Sequence, residues 1–111
     1  MSEMIQFADF LKVEMRVGLV TQVIFPEWSE KLLELKVDFG TKLGKRTIFS
    51  GVKKYYSEAD FLNKKFPFVI NLTAKKMGPN ISQGMMVMID NSLKPILIPL
   101  SEQAELGALL C

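Results

Sequence analysis

Two stretches of alternating polarity constrain this chain more than anything else in it. Leu33, Leu35, Val37 and Phe39 alternate with Glu34, Lys36 and Asp38, the period of a strand with one face buried. Before it, Met15, Val17, Leu19, Val23 and Phe25 fall on one face, interrupted by Thr21, while Arg16, Gly18, Val20, Gln22 and Ile24 fall on the other. This is a long strand whose mixed second face calls for cover by a short helix or another subunit. Gly18 in mid-strand predicts a bend or a close approach of backbone.

The remaining pattern is also made of short strands. Gly40 to Lys45, with two glycines, reads as a hairpin turn, and Arg46 to Ser50 as a third strand. Ser57 to about Asn63 reads as a short helix, with Ser57 as N-cap and Asp60 at the third helical position. Phe66 to Leu72 is a fourth strand and Met85 to Asp90 a fifth, separated by a loop from Thr73 to Gly84 that turns at Gly78-Pro79-Asn80. Met4 to Leu11 fits a short helix with Gln6 as a poor N-cap, Leu93 to Leu100 offers one more strand, and Gly107 marks a final turn. No strand–helix–strand rhythm appears, which disfavours a parallel sheet. Three strands, a helix and two strands is the chain order of an OB-fold, a five-stranded Greek-key barrel. The expected class is therefore all-β with short helices. The 111 residues make one domain, with a core at about 7–90 and a C-terminal extension over 91–111.

What is missing narrows the chemistry. There is no histidine, and the only cysteine is Cys111. Serine–histidine triads, histidine metal sites and intrachain disulfides are ruled out. No metal or cofactor is expected. The carboxylates mostly alternate with apolar strand residues and so face solvent, and no spacing favours paired-carboxylate or Ser–Lys catalysis; the expectation is a protein that is not an enzyme. Gly40-Thr-Lys-Leu-Gly44-Lys45-Arg46-Thr47 has three residues between its glycines and Arg46 after the lysine, so it lacks the phosphate-loop spacing. With no leader-like N-terminus, no apolar span and a lone cysteine, the expected location is cytoplasmic, with no membrane partner.

Charge points either to an anionic ligand or to a solvated lysine-rich surface. Residues 40–76 carry nine basic and two acidic side chains, a net of +7 in a chain of net +2. Lys42, Lys45, Arg46, Lys53, Lys54, Lys64, Lys65, Lys75 and Lys76 fall in turns, at strand ends or beside the short helix, with Tyr55 and Tyr56 among them. Basic loops interleaved with aromatics on a small barrel suit nucleic acid, with lysines on phosphates and rings under bases. Core packing is the competing role for the tyrosines, and packing accounts for at least one. Phe7–Leu11, Ile96-Leu97-Ile98 and Ala108-Leu109-Leu110 offer more apolar surface than one small barrel covers, so a homodimer is expected.

Five segments resemble one family in order. Phe10-Leu-Lys-Val-Glu-Met-Arg-Val-Gly18, Lys31-Leu-Leu-Glu-Leu-Lys-Val-Asp-Phe-Gly40, Arg46-Thr-Ile-Phe-Ser-Gly51, Asn71-Leu72 and Ser82-Gln-Gly-Met85 resemble the successive motifs of the tRNA-binding domain family, an OB-fold group. That family occurs as a C-terminal appendage of methionyl-tRNA synthetase, within phenylalanyl-tRNA synthetase, and as stand-alone homodimers. The resemblance implies a homodimeric, structure-specific tRNA binder, with an aminoacyl-tRNA synthetase as a further possible partner. It assigns Arg16, Lys31, Arg46, Lys75 and Lys76 to phosphates, Asn71 and Ser82 to neutral hydrogen bonds, and Met85 to an apolar contact. Ion pairing with Glu14 or Asp38 is the alternative for the two arginines, and loop stapling for Asn71 and Ser82.

A related stand-alone branch is a secretion chaperone that binds unfolded polypeptides, which Phe25-Pro-Glu27 and Asp38-Phe-Gly40 also resemble. That alternative looks to Trp28, Phe61 and Phe66 as exposed aromatics. Trp28 stands where many members have alanine, and Thr73-Ala74-Lys75 replaces a proline-bearing stretch.

Overall fold

The computed structural model describes residues 2–111. Helix α1 spans Phe7–Phe10, and the strands are β1 Met15–Ile24, β2 Leu33–Asp38, β3 Lys45–Ser50, β4 Lys65–Val69, β5 Lys75–Met77, β6 Asn80–Ser82 and β7 Met85–Met86. Five of them form one antiparallel sheet in the order β3-β2-β1-β4-β7, and β5 and β6 form a separate hairpin. The large sheet is nearly closed into an OB-like barrel, the fold the strand order predicts.

The face assignment within β1 differs from the simple alternation. The register against β2 slips between Val20 and Gln22, so Thr21 sits at a bulge. A bulge adds one residue and switches which side chains face inward. Val20 and Val23 both reach the core in consequence, whereas Leu19 is half-buried. Gly18 faces the core with no side chain because there is no room for one. A Cβ there would lie 2.5 Å from Val37, 2.7 Å from Phe39 and 2.8 Å from Phe68. Phe39 and Phe68 then meet edge to face, 5.5 Å between centroids.

Phe61 and Phe66 are fully buried, which corrects the expectation of exposed aromatics at those positions. They pack in series with Tyr56 at centroid spacings of 5.9 Å, Tyr56 meeting Phe61 edge to face and Phe61 meeting Phe66 at a tilt, and both phenylalanines join the core cluster. Tyr56 donates its hydroxyl proton to the Pro95 carbonyl, so it is a packing residue, whereas Tyr55 is exposed. The expected helix over 57–63 is a single 3-10 turn, Glu58–Asp60, and Asn63 at φ +61° follows it. Capping runs backward: the Asp60 carboxylate accepts the Ser57 N–H at 2.8 Å and the Ser57 hydroxyl at 3.2 Å. The Ser57 N–H holds the Asp60 carboxyl below its ordinary pKa, helped by the Ser57 hydroxyl and the charges of Lys64 and Lys94 against desolvation.

Three further boundaries differ from the sequence pattern. The 73–84 segment is the β5–β6 hairpin rather than a loop, since three-residue strands are too short to show alternation. The fifth barrel strand is two residues long, and the expected 93–100 strand is reduced to the Ile89–Ile96 bridge and one bond from the Leu100 N–H to the Lys65 carbonyl. Residues 107–110 instead border β1, where the Val17 N–H donates to Ala108 and the Gly107 N–H to Val17. Gly107 at φ +82° makes that turn possible.

Candidate nucleic-acid interface

The two ends of the large sheet are joined mainly by side chains. Ser82 Oγ accepts the Phe49 N–H at 3.0 Å and donates to the Gly84 carbonyl. The Gln83 N–H donates to the Thr47 carbonyl at 2.8 Å, and Gln83 Oε1 accepts the Thr47 N–H at 3.0 Å. The closure leaves the groups that a β3–β7 ladder would satisfy paired with Ser82 and Gln83. It also clamps the β5–β6 hairpin beside β3.

The hairpin has two more anchors on the outer face of β2 and β3. Register places Glu34 opposite Phe49 and Lys36 opposite Thr47 on that face. Asn80 Nδ2 donates to Glu34 Oε1 at 3.1 Å. Glu34 Oε2 pairs with Lys36 Nζ at 3.0 Å, and Lys36 Nζ also donates to Thr47 Oγ1 at 2.7 Å. The buried Glu34 is thus fully partnered, as a charge taken out of water must be. Trp28, from the β1–β2 loop, packs on Phe49 at 5.8 Å and on the backbone of Gly78 at the hairpin tip.

This frame sorts the residues singled out from sequence. Lys75, Ser82 and Met85 come together around one recess of about 240 Å³ whose walls include Phe49, Leu72 and Met77. Arg46 lies next to it, in a groove of about 260 Å³ with Lys36, Lys45 and Gln83. Lys75 and Lys76 are exposed and enter no ion pair among the described residues. Lys31 is exposed on the β1–β2 loop. Arg16 stands apart, lining a different depression near Gly40–Leu43 and Gly107. Its guanidinium pairs with Glu14 at 3.0 Å and donates to the Gly107 carbonyl.

Several polar groups are engaged within the protein. Asn71 staples the entrance to β1, accepting the Glu14 N–H at 2.9 Å and donating to the Lys12 carbonyl. Arg46 Nη1 donates to the Ile70 carbonyl at 2.6 Å and makes a longer bond to that of Gln83. Lys53 and Lys65 each donate to two main-chain carbonyls. Lys36 and Gln83 were not legible as site residues. Lys36 lies outside the basic segment, and Gln83 carries no charge; only the register of β2 against β3 brings them here.

Comparison with known proteins decides the family. The family model described as "Putative tRNA binding domain" matches residues 15–109. The chain belongs to the tRNA-binding domain family. A methionine–tRNA ligase of Thermococcus onnurineus is 36% identical over 106 residues, and one of Chromobacterium violaceum 44% identical over 88. These alignments cover 96% and 78% of this tRNA-binding domain but only 14% and 12% of the ligases. Among solved structures, a MetRS-related protein of Pyrococcus horikoshii superposes with a TM-score of 0.93 at 35% identity, covering 99% of this chain and all of that one. The CsaA chaperone of Picrophilus torridus superposes with a TM-score of 0.88 at 25% identity, covering 97% of this chain and all of its own. This tRNA-binding domain therefore shares its barrel with proteins bearing both descriptions.

Proposed function

We propose that the protein binds tRNA without catalysing a reaction, as a homodimer that recognises tRNA shape through backbone phosphates. The observation that carries this reading is the clamped hairpin, which fixes unpaired Lys75 and Lys76 beside the groove of Lys36, Lys45 and Arg46. Phosphates meet Lys31, Lys45, Arg46, Lys75 and Lys76, while Lys36, held by Glu34 and Thr47, together with Asn71, Ser82 and Gln83 keeps the surface in shape. Backbone contacts set orientation and affinity rather than base sequence. The ligase relatives carry the matched segment within longer chains, which makes an aminoacyl-tRNA synthetase the expected further partner.

Dimerisation is supported by an uncovered apolar strip. Phe7, Leu11 and Leu109 are 73%, 59% and 50% exposed, and Phe7, Phe10, Val13, Leu109 and Leu110 line one depression. A two-fold interface buries such a strip and sets two basic faces on one ligand.

Filter binding of purified protein to bulk tRNA, beside sedimentation, tests the reading. Affinity well above that of a basic control protein supports it; affinity equal to the control overturns it. The chaperone reading rests on the likeness to CsaA and on half-exposed Trp28. It is favoured only if the protein suppresses aggregation of an unfolded client and carries no nucleic acid.

A further inference from the structure

We propose that the recess between the β5–β6 hairpin and β7 captures one unpaired nucleobase, so that tRNA is held by a base as well as by its phosphates. The inference rests on the tRNA-binding reading and deepens it. The recess has an apolar floor and sides. Phe49 lies at its base at 5% exposure, and Leu72 and Met85 stand at its sides at 50% and 48%. Met77 completes the wall. A base is apolar on its two faces, and thioether sulfur packs favourably against aromatic rings. An apolar cavity of about 150 Å³ already holds a benzene ring. The recess, at about 240 Å³, has room for a larger planar ring.

Charge selects among occupants. Lys75 lies on the rim and Lys76 is its neighbour in β5. A nucleotide brings a phosphate on each side of its base, so the Lys75 cation bordering an apolar slot matches that pattern. An uncharged apolar peptide side chain gains nothing from it. The walls are also set before binding, which reduces the ordering cost. Ser82 ties the floor to the hairpin, and Gly84 makes the turn that presents Met85. At Gly84 φ is +146°, and a Cβ would lie 2.7 Å from the Val69 carbonyl oxygen. Paired regions keep their bases stacked, so the occupant comes from a loop or an end of the RNA.

The test uses the full chain labelled at its methionine methyl carbons and titrated with bulk tRNA. Met77→Leu and Met85→Leu identify the two resonances. An inserted base moves both methyls upfield through its ring current, while the methyl of Met4, exposed ahead of α1 and not among the residues lining the recess, stays in place. Met85→Ala, at an exposed position, lowers tRNA affinity about tenfold and leaves the salt slope unchanged. Unmoved Met77 and Met85 methyls in a protein that binds tRNA overturn the base inference and leave the tRNA reading standing. Absence of tRNA binding removes both. Methyl shifts produced by an unfolded polypeptide and not by RNA assign the recess to polypeptide and overturn the proposal.

Discussion

The indole of Trp28 lies directly against the backbone of Gly78: a Cβ on Gly78 would sit 2.5 Å from the ring. Gly78 is also at φ +55°, a conformation that strains other residues. The loop between β1 and β2 and the tip of the basic hairpin are thereby one packed unit. Gly78→Ala is expected to lift the ring off the hairpin and cost about 1–3 kcal/mol. Trp28 is the sole tryptophan, so its emission should shift to the red in the variant, and chemical denaturation gives the stability loss.

Two buried serines should respond in opposite directions. Ser82→Ala leaves the buried Phe49 N–H without its acceptor and is expected to cost about 1–3 kcal/mol. Ser50 Oγ is buried with no partner among the described residues, so Ser50→Ala removes an unsatisfied group and should be neutral or stabilising. Thermal midpoints of the two variants decide it; a large loss on Ser50→Ala would mean that its hydroxyl is satisfied in solution.

Binding should weaken steeply with salt. Each neutralised phosphate contributes about −0.7 to −0.9 to the slope of log affinity against log salt. Replacing Lys75 and Lys76 together by alanine should flatten the slope by about two contacts' worth with stability unchanged. Lys53→Ala should do the reverse, because its ammonium is tied to the Pro26 and Ser29 carbonyls. It should lower the melting point and leave the slope alone.

Charge placed on the apolar strip should separate the subunits. Phe7→Glu on 73%-exposed Phe7 is expected to yield a 12.6 kDa monomer in sedimentation at micromolar concentration. A parent already monomeric there would remove the dimer reading.

Asp60 gives a sign to one part of the acid stability. Its carboxyl is held below the ordinary value by the Ser57 N–H, so the folded state favours the ionised form. The resulting stabilisation is present at neutral pH and is lost as pH falls through the lowered folded-state value. Asp60→Asn should melt below the parent at pH 7, and the difference should shrink below about pH 4. Melting curves across that range measure it.

Legibility followed the range of the interaction. The alternation in 33–39 placed β2 on its residues, and the turn glycines at 40 and 44 fixed the hairpin after it, since φ of +93° and +75° demand residues of that kind. The alternation in β1 misled beyond Thr21, because a bulge depends on the partner strand and leaves no trace in local polarity. Phe61 and Phe66 looked like the other aromatics until the chain folded them inward.

The sequence by itself determined the succession of the main barrel strands, the absence of histidine and of a second cysteine for a disulfide, the basic middle third and the family motifs, all of which are local or compositional. Tertiary structure alone decided which cations are free and which are spent. Lys75 and Lys53 carry the same charge in the same segment, but one is exposed and the other is pinned between two carbonyls. It likewise turned Ser82 and Gln83 into the seam of the barrel. A polar side chain's role is set by which donors and acceptors lie within about 3 Å of it, and here those partners are supplied by strands more than thirty residues away.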